Sequence, residues 1–303
     1  MIKTLEEMLD RAKSLGRKRL AVAAADEFEV LKAVEEARKS GIVDGILVGD
    51  KRRILKTCND AEINPENFSI IDIPDSREAA DECCRLIRNK EADFIMKGAI
   101  KTSAFMKAIL DKQNGLAEGG LLSHVAVFEI NGFNRLLFIT DAAINISPSL
   151  WDKVQIIKNA VNMARNIGYN YPKVACLAAV EVVNPDKMPD TVDSAALAVM
   201  SLRKQIKNCV IDGPLALDVA ISEKAVEIKG ITSPVAGKAD ILLAPEIISA
   251  NILYKSLTYL AGAKAAAIVT GTIAPVVLTS RADDHQTKFL SIAMGTAGVK
   301  SEK

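Results

Sequence analysis

Aromatic side chains are scarce in this 303-residue sequence, at 4%, and neither sign of charge prevails, with 39 Lys and Arg against 38 Asp and Glu. A net charge of +1 leaves no global field to draw the chain onto nucleic acid or an acidic membrane, so any anion it binds has to be met locally. Two histidines are too few for a histidine-rich zinc site. The five cysteines are odd in number and lack a Cx2C pair, which points away from both a metal centre and a disulfide framework. No apolar run reaches the roughly 18 residues of a spanning helix. The amino-terminal MIKTLEEMLDRAKSLGRKRL alternates charges with single apolar residues, unlike a signal peptide. The expected location is a reducing cytoplasm. There is no internal repeat and no low-complexity tract.

What is there is a 49% hydrophobic chain of ordinary globular make-up, with apolar mass for two medium cores. Short runs rich in Val, Ile, Leu and Ala alternate with longer segments of helical period, the pattern of an α/β protein with mainly parallel sheets. The expected strands are Leu20 to Ala24, Gly45 to Val48, Ser69 to Ile71, Phe94 to Met96, Val174 to Val180, Asn208 to Ile211, Ile241 to Leu243, Ala266 to Thr270 and Val276 to Thr279. Val125 to Ile130 and Arg135 to Thr140 flank Asn131-Gly132, which predicts an antiparallel hairpin. Ser147-Pro148 then reads as an N-cap and first-turn proline for a helix that stops near Gly168. Two domains are expected, 1–142 together with 284–303, and 143–283.

In parallel sheets, ligands bind where strands end and helices begin, because free backbone N–H groups and helix amino ends attract anions there. Four strand ends carry suitable groups. In PVVLTSRADDHQTK, 275–288, a buried strand pattern ends in Thr279, Ser280 and Arg281, followed by Asp283 and Asp284. Arginine grips phosphate in bidentate fashion, a hydroxyl donates to an oxyanion, and an aspartate takes a thiol proton. The plainer reading is that Thr279 or Ser280 caps the next helix while the aspartates favour its positive end. A second strand end places Asn251 and Lys255 one helical turn apart on one face, where an amide and an ammonium meet the same anion, or where they are simply a solvated lysine and a capping amide. The third, MKGAIKTS, puts Lys97, Lys101, Thr102 and Ser103 around Gly98 without the spacing of a P-loop, and helix capping accounts for its hydroxyls equally well. The fourth brings Ser123 and His124 after Gly119-Gly120, although a single histidine is more often a packed core residue than a catalyst.

Taken in order, these segments resemble the phosphate butyryltransferases. DGPLALDVAIS at 212–222, SPVAGKADILLAPEI at 233–247, NILYKSLTYLA at 251–261 and APVVLTSRADDHQTK at 274–288 look like the second half of that family. MKGAIKTSAFMKAIL at 96–110, LSHVAVFEI at 122–130, LLFITDAAINISPSLWDKVQII at 136–157 and VEVVNPDKMPDTVDSAAL at 180–197 extend the likeness to nearly the whole chain. The resemblance implies a two-domain fold like that of phosphate acetyltransferases and of the isocitrate and isopropylmalate dehydrogenases, with the active site in an interdomain cleft and a homodimeric or higher homo-oligomeric assembly. It also implies the reaction acyl-CoA plus phosphate to acyl phosphate plus CoA, with coenzyme A as substrate, no cofactor and no metal. Ser280 and Arg281 match the catalytic SR motif of the acetyltransferases. The aspartate that those enzymes use as base, seven residues past the serine, is Thr287 here, leaving Asp283 and Asp284 as substitutes by proximity. A second departure is Gly115-Leu116-Ala117-Glu118-Gly119, where relatives often carry an arginine in a GLRxG segment.

The resulting expectation is direct attack of phosphate on the thioester. Arg281 holds phosphate, Ser280 donates to the oxyanion, Ser123 and Thr102 help hold phosphate, and Lys97, Lys101 and Lys255 meet the CoA phosphates. Acetyl transfer is the nearest alternative. A nicotinamide-dependent dehydrogenase on the same fold lacks a GxGxxG fingerprint, and a non-catalytic acyl-CoA or acyl phosphate binder is the remaining rival.

Overall fold

The computed structural model describes residues 2–117, 119–280 and 282–299. Along the chain the strands are β1 (Lys18–Ala23), β2 (Val43–Gly49), β3 (Ser69–Asp72), β4 (Phe94–Lys97), β5 (Ser123–Glu129), β6 (Leu137–Thr140), β7 (Lys173–Leu177), β8 (Val210–Leu215), β9 (Ile241–Leu243), β10 (Lys264–Thr270) and β11 (Val276–Val277). Two compact units form: a flanking unit of Glu6–Gly120 with Ala266–Lys303, and an inserted unit of Met1–Leu5 with Leu121–Ala265. The junctions fall earlier than the expected 142/143 and 283/284. Strand pairing is the reason: β6 bonds to β9 and carries its hairpin partner β5 into the inserted unit, while β11 bonds to β4 in the flanking unit.

In the flanking unit the order is β3-β2-β1-β4-β11-β10, with β1 parallel to both β2 and β4. Helices Phe28–Lys39, Lys51–Asp60 and Ser76–Arg88 make the crossovers. Leu20 to Ala23 and Phe94 to Met96 are buried, as strands covered on both faces require. Successive strands run outward from β1 to β3 and then resume on the other side with β4, so the order reverses between β1 and β4.

In the inserted unit the order is β5-β6-β9-β7-β8, parallel except for β5. The hairpin is present, but its connection is longer than a two-residue turn. Phe133 N donates to Ile130 O at 3.0 Å across Asn131 and Gly132, whose φ is +79°, and the second strand starts only at Leu137. Residues 133–136 are therefore loop, and Arg135 leaves the ladder to donate to the Ala239 and Gly237 carbonyls. The helix after the hairpin spans Leu150–Ile167 and ends at Gly168. Its N-cap is Ser149, not Ser147: the Ser149 hydroxyl accepts from Asp152 N at 3.3 Å, and Asp152 Oδ2 accepts in return from Ser149 N at 2.9 Å. Among the described residues, no helix is long and apolar enough to cross a membrane.

This reciprocal cap gives a stability test. The Ser149 hydrogen bonds hold the Asp152 carboxyl below its usual range. Its contribution is present above the ordinary aspartate pKa and is lost as pH falls through the lowered folded value. Ser149→Ala is expected to cost ~1 kcal/mol in urea unfolding at neutral pH, and the gap from wild type should close in acid.

Candidate active site

Strand register brings the site residues of the flanking unit to one edge. Ala23 at the end of β1 pairs with Lys97 at the end of β4, and Met96 pairs with Val277 in β11, so all three strands finish together. Their carboxyl ends flank the reversal of strand order, where open α/β sheets collect ligands. The loops interlock closely. Gly98 N donates to Ala23 O at 2.9 Å and Ala99 N to Ala24 O at 2.7 Å, while Ala24 holds a positive φ of 52°. A Cβ at position 98 would lie 2.2 Å from the Ala24 carbonyl oxygen, so only glycine fits.

Lys97 is buried, and its ammonium donates to the carbonyls of Gly98 at 3.1 Å and Ile100 at 3.3 Å. Lys101, Thr102 and Ser103 are exposed at the start of helix Thr102–Ile109, where no side chain caps the amino end. That combination of an ammonium, hydroxyls and a helix amino end suits a phosphate group.

After β11, Thr279 is buried and Ser280 is exposed. A tight turn follows. Ser280 N donates to Asp283 Oδ2 at 2.7 Å, Asp283 N donates to Ser280 O at 3.2 Å, and Ser280 Oγ accepts from Ala282 N at 3.3 Å. The Ser280 oxygen thus accepts from backbone on an exposed residue, and its O–H is able to donate to a ligand. Arg281, between these residues, lies outside the described residues. The helix cap falls to Asp284 rather than to Thr279 or Ser280: its Oδ1 accepts from Thr287 N at 2.8 Å. Burial raises the Asp284 carboxyl, but the hydrogen bonds from Thr287 outweigh it and, with His285 and Lys288 nearby, hold it below the ordinary range. Beneath the turn sits Lys288, 2% exposed. Sequence spacing does not mark it, although a lysine immediately before the apolar run FLSIAMGTAG, on a helix buried nearly all round, has to be enclosed.

The GLAEG segment is held at Leu116, which is buried and accepts from Ile273 N at 2.9 Å, and Ala117 bridges Thr272. Glu118 lies outside the described residues.

In the inserted unit, the other candidates gather at the carboxyl end of β6. Thr140 Oγ1 donates to His124 O at 2.8 Å, and the Asp141 carboxylate accepts from Ala143 N, Ile144 N and the Asn145 amide. Asn251 is exposed, and its amide donates to Ala142 O at 3.1 Å. Ser123 is fully buried and accepts from Asn159 Nδ2 at 3.0 Å, so its hydroxyl faces the interior. The His124 ring, also buried, stacks edge-on with Tyr254 at 5.9 Å. Lys255 lies over the rings of Tyr254 and Tyr259, at 5.3 and 5.5 Å from their centroids. Sequence spacing did not mark Asn145 or Asn159, because Leu122 O, which Asn145 bonds, and Leu121 O and Ser123 Oγ, which Asn159 bonds, lie 23 to 38 residues away. Among the described residues, no group of three His, Cys, Asp or Glu could hold a metal ion.

Known proteins share this sequence and fold. Residues 77–296 match the profile described as phosphate acetyl/butaryl transferase. A phosphate butyryltransferase of Clostridium acetobutylicum is 49% identical over 97% of both chains. A phosphate acetyltransferase of Thermotoga maritima is 46% identical over 96% of this chain and 98% of that one. Among solved structures, a branched-chain phosphotransacylase from Enterococcus faecalis V583 superposes with a TM-score of 0.83 at 32% identity, over 94% of this chain and all of that one. A 4-hydroxythreonine-4-phosphate dehydrogenase from Klebsiella pneumoniae, 14% identical with a TM-score of 0.58 over 92% of this chain and 99% of that one, shares the fold.

The contact at Gly98 is with main chain, which no rotamer change relieves. Gly98→Ala is expected to lower stability by about 1–3 kcal/mol, read as a drop in melting temperature, whereas Ala99→Gly should cost less.

Proposed function

The chain belongs to the phosphate acetyl/butaryl transferase family, and from that premise we propose that it moves a short acyl group, butyryl by preference, between coenzyme A and inorganic phosphate. The observation that carries this is 49% identity over nearly the full length of a phosphate butyryltransferase, with a serine presented after β11 by a backbone-organised turn. Acetyl transfer is the second reading, favoured by the similar identity to the acetyltransferase of Thermotoga maritima.

In the mechanism we favour, a phosphate oxygen attacks the thioester carbonyl carbon, the C–S bond breaks, and CoA leaves as a thiol after taking up a proton. Arg281 holds the phosphate, and the Ser280 hydroxyl donates to the oxyanion of the tetrahedral intermediate. In the reverse direction an aspartate takes the proton of the CoA thiol. Asp283 suits that role better than Asp284, whose carboxyl is weakened as a base by its cap. Lys101 and Thr102, at an uncapped helix start, and Asn251 with Lys255 in the inserted unit are suited to phosphate groups. Lys97, with its ammonium on its own loop, shapes that start rather than reaching out. Ser123 and His124 brace the end of β6. Positioning and charge stabilisation suffice for a reactive thioester, so this reading calls for no cofactor and no metal, with CoA as substrate.

We also place the protein in the cytoplasm as a homo-oligomer. Helix Asp190–Leu202 is buried on one side and carries apolar side chains on the other. Thr191, Ser194 and Leu197 are buried, while Val192, Val199 and Leu202 form an outward stripe whose last member is 79% exposed. Helix Ile247–Lys255 similarly exposes Ile248 and Ile252. Both helices border a cavity of about 830 Å³. Contiguous exposed apolar side chains are normally covered, and protruding side chains beside a cavity are what a self-complementary contact needs.

The decisive assay is thiol release from acetyl-, propionyl-, butyryl- and branched acyl-CoA with phosphate. Release is expected, with Ser280→Ala lowering kcat by about 10²–10³ and Arg281→Ala raising the KM for phosphate. CoA binding without release would replace the enzyme by a binding protein. Sedimentation of wild type should give a mass of at least two chains, and Leu202→Glu with Ile252→Glu should reduce it to one. A monomeric wild type would refute the assembly.

A further inference from the structure

We infer that Lys288 is the positioning residue of the Ser280 turn, an inference that rests on the acyltransfer reading of that strand end. The ammonium lies in the concave side of the turn. It donates to Ser280 O at 3.4 Å and to Asp283 O, and it stands 3.8 Å from Glu27 Oε1. Two carbonyls at opposite ends of the turn therefore share one cation. Glu27 sits in the loop leaving β1 and precedes helix Phe28–Lys39, so the same cation ties the end of β11 to the end of β1.

The arrangement explains why a lysine occupies this interior position. A turn that presents Ser280 outward directs the Ser280 and Asp283 carbonyls inward, where buried acceptors need donors. Asp283 N satisfies the Ser280 carbonyl in part, and Lys288 completes the set for both. An apolar residue at position 288 would leave those acceptors and the Glu27 carboxylate facing a void. Lys288 does not reach a ligand, because it is 2% exposed. It acts through the backbone carbonyls of Ser280 and Asp283.

Two observables separate this role from general stabilisation. In Lys288→Met, hydrogen exchange of the Ala282 and Asp283 amides, which are bonded to Ser280, should accelerate at least about tenfold while the β1 and β4 amides keep their protection. In thiol release, Lys288→Met should lower kcat more than tenfold with little change in the KM for acyl-CoA, and adding it to Ser280→Ala should cost almost nothing further. Glu27→Gln, which keeps the ammonium, should show the same pattern more weakly and serves if Lys288→Met does not fold. Unchanged exchange at Ala282 and Asp283, or kinetic losses that multiply with Ser280→Ala, would overturn the assignment. Absence of thiol release in the wild type would instead refute the acyltransfer reading, and the exchange result would still decide whether Lys288 holds the turn.

Discussion

The Ala24 carbonyl oxygen occupies the space where any residue other than glycine at position 98 would carry its Cβ. Much of the flanking unit's chemistry depends on that contact. It lets the loop after β4 lie directly on the loop after β1, bonded through Gly98 and Ala99, at the point where the order of strands reverses. The approach turns Lys97 inward and delivers Lys101 and Thr102 at an open helix start. It also fixes the end of β4 beside β11, from which Ser280 emerges. The left-handed backbone at Ala24 is a strained conformation for a residue with a side chain, of the kind that persists where surrounding structure holds it and that gathers at functional sites.

The α/β class, nearly every strand and the hairpin were legible, because buried parallel strands need continuous apolar runs and these stand out between helical periods. Element ends were less so. Ser147-Pro148 has the residue types of a helix start, yet the reciprocal bonds of Ser149 and Asp152 place it two residues later. No linker composition marks the unit junctions; they follow the pairing of β6 with β9 and of β11 with β4, between residues far apart in sequence. At the strand end 279–284, the types of group present were readable while their division of labour was not. Asp284 and Asp283 look equivalent in sequence, but one is committed to Thr287 N and the other accepts from Ser280 N.

Lysine shows most clearly why residue type underdetermines role. Lys97, Lys101 and Lys288 lie at one edge of one sheet, yet Lys101 faces solvent while the other two point their charge at main-chain carbonyls. Buried ammoniums on carbonyl oxygens organise loops and also leave positive potential close to where anions would arrive, which a neutral donor would not do. A net charge of only +1 over the whole chain is compatible with such local concentration.

The five cysteines share one condition: Cys58, Cys83, Cys84, Cys176 and Cys209 are all free and all buried. Burial pushes each thiol up, Cys209 to about 11 and Cys84 to about 12, so little thiolate exists at neutral pH. Thiol–disulfide exchange needs both a thiolate and access to it. A chain that works beside a freely diffusing thiol such as CoA thereby keeps its own sulfurs chemically silent: mixed disulfides with CoA have nowhere to form, and sulfhydryl reagents added to the folded protein should count the substrate's thiol and not the protein's.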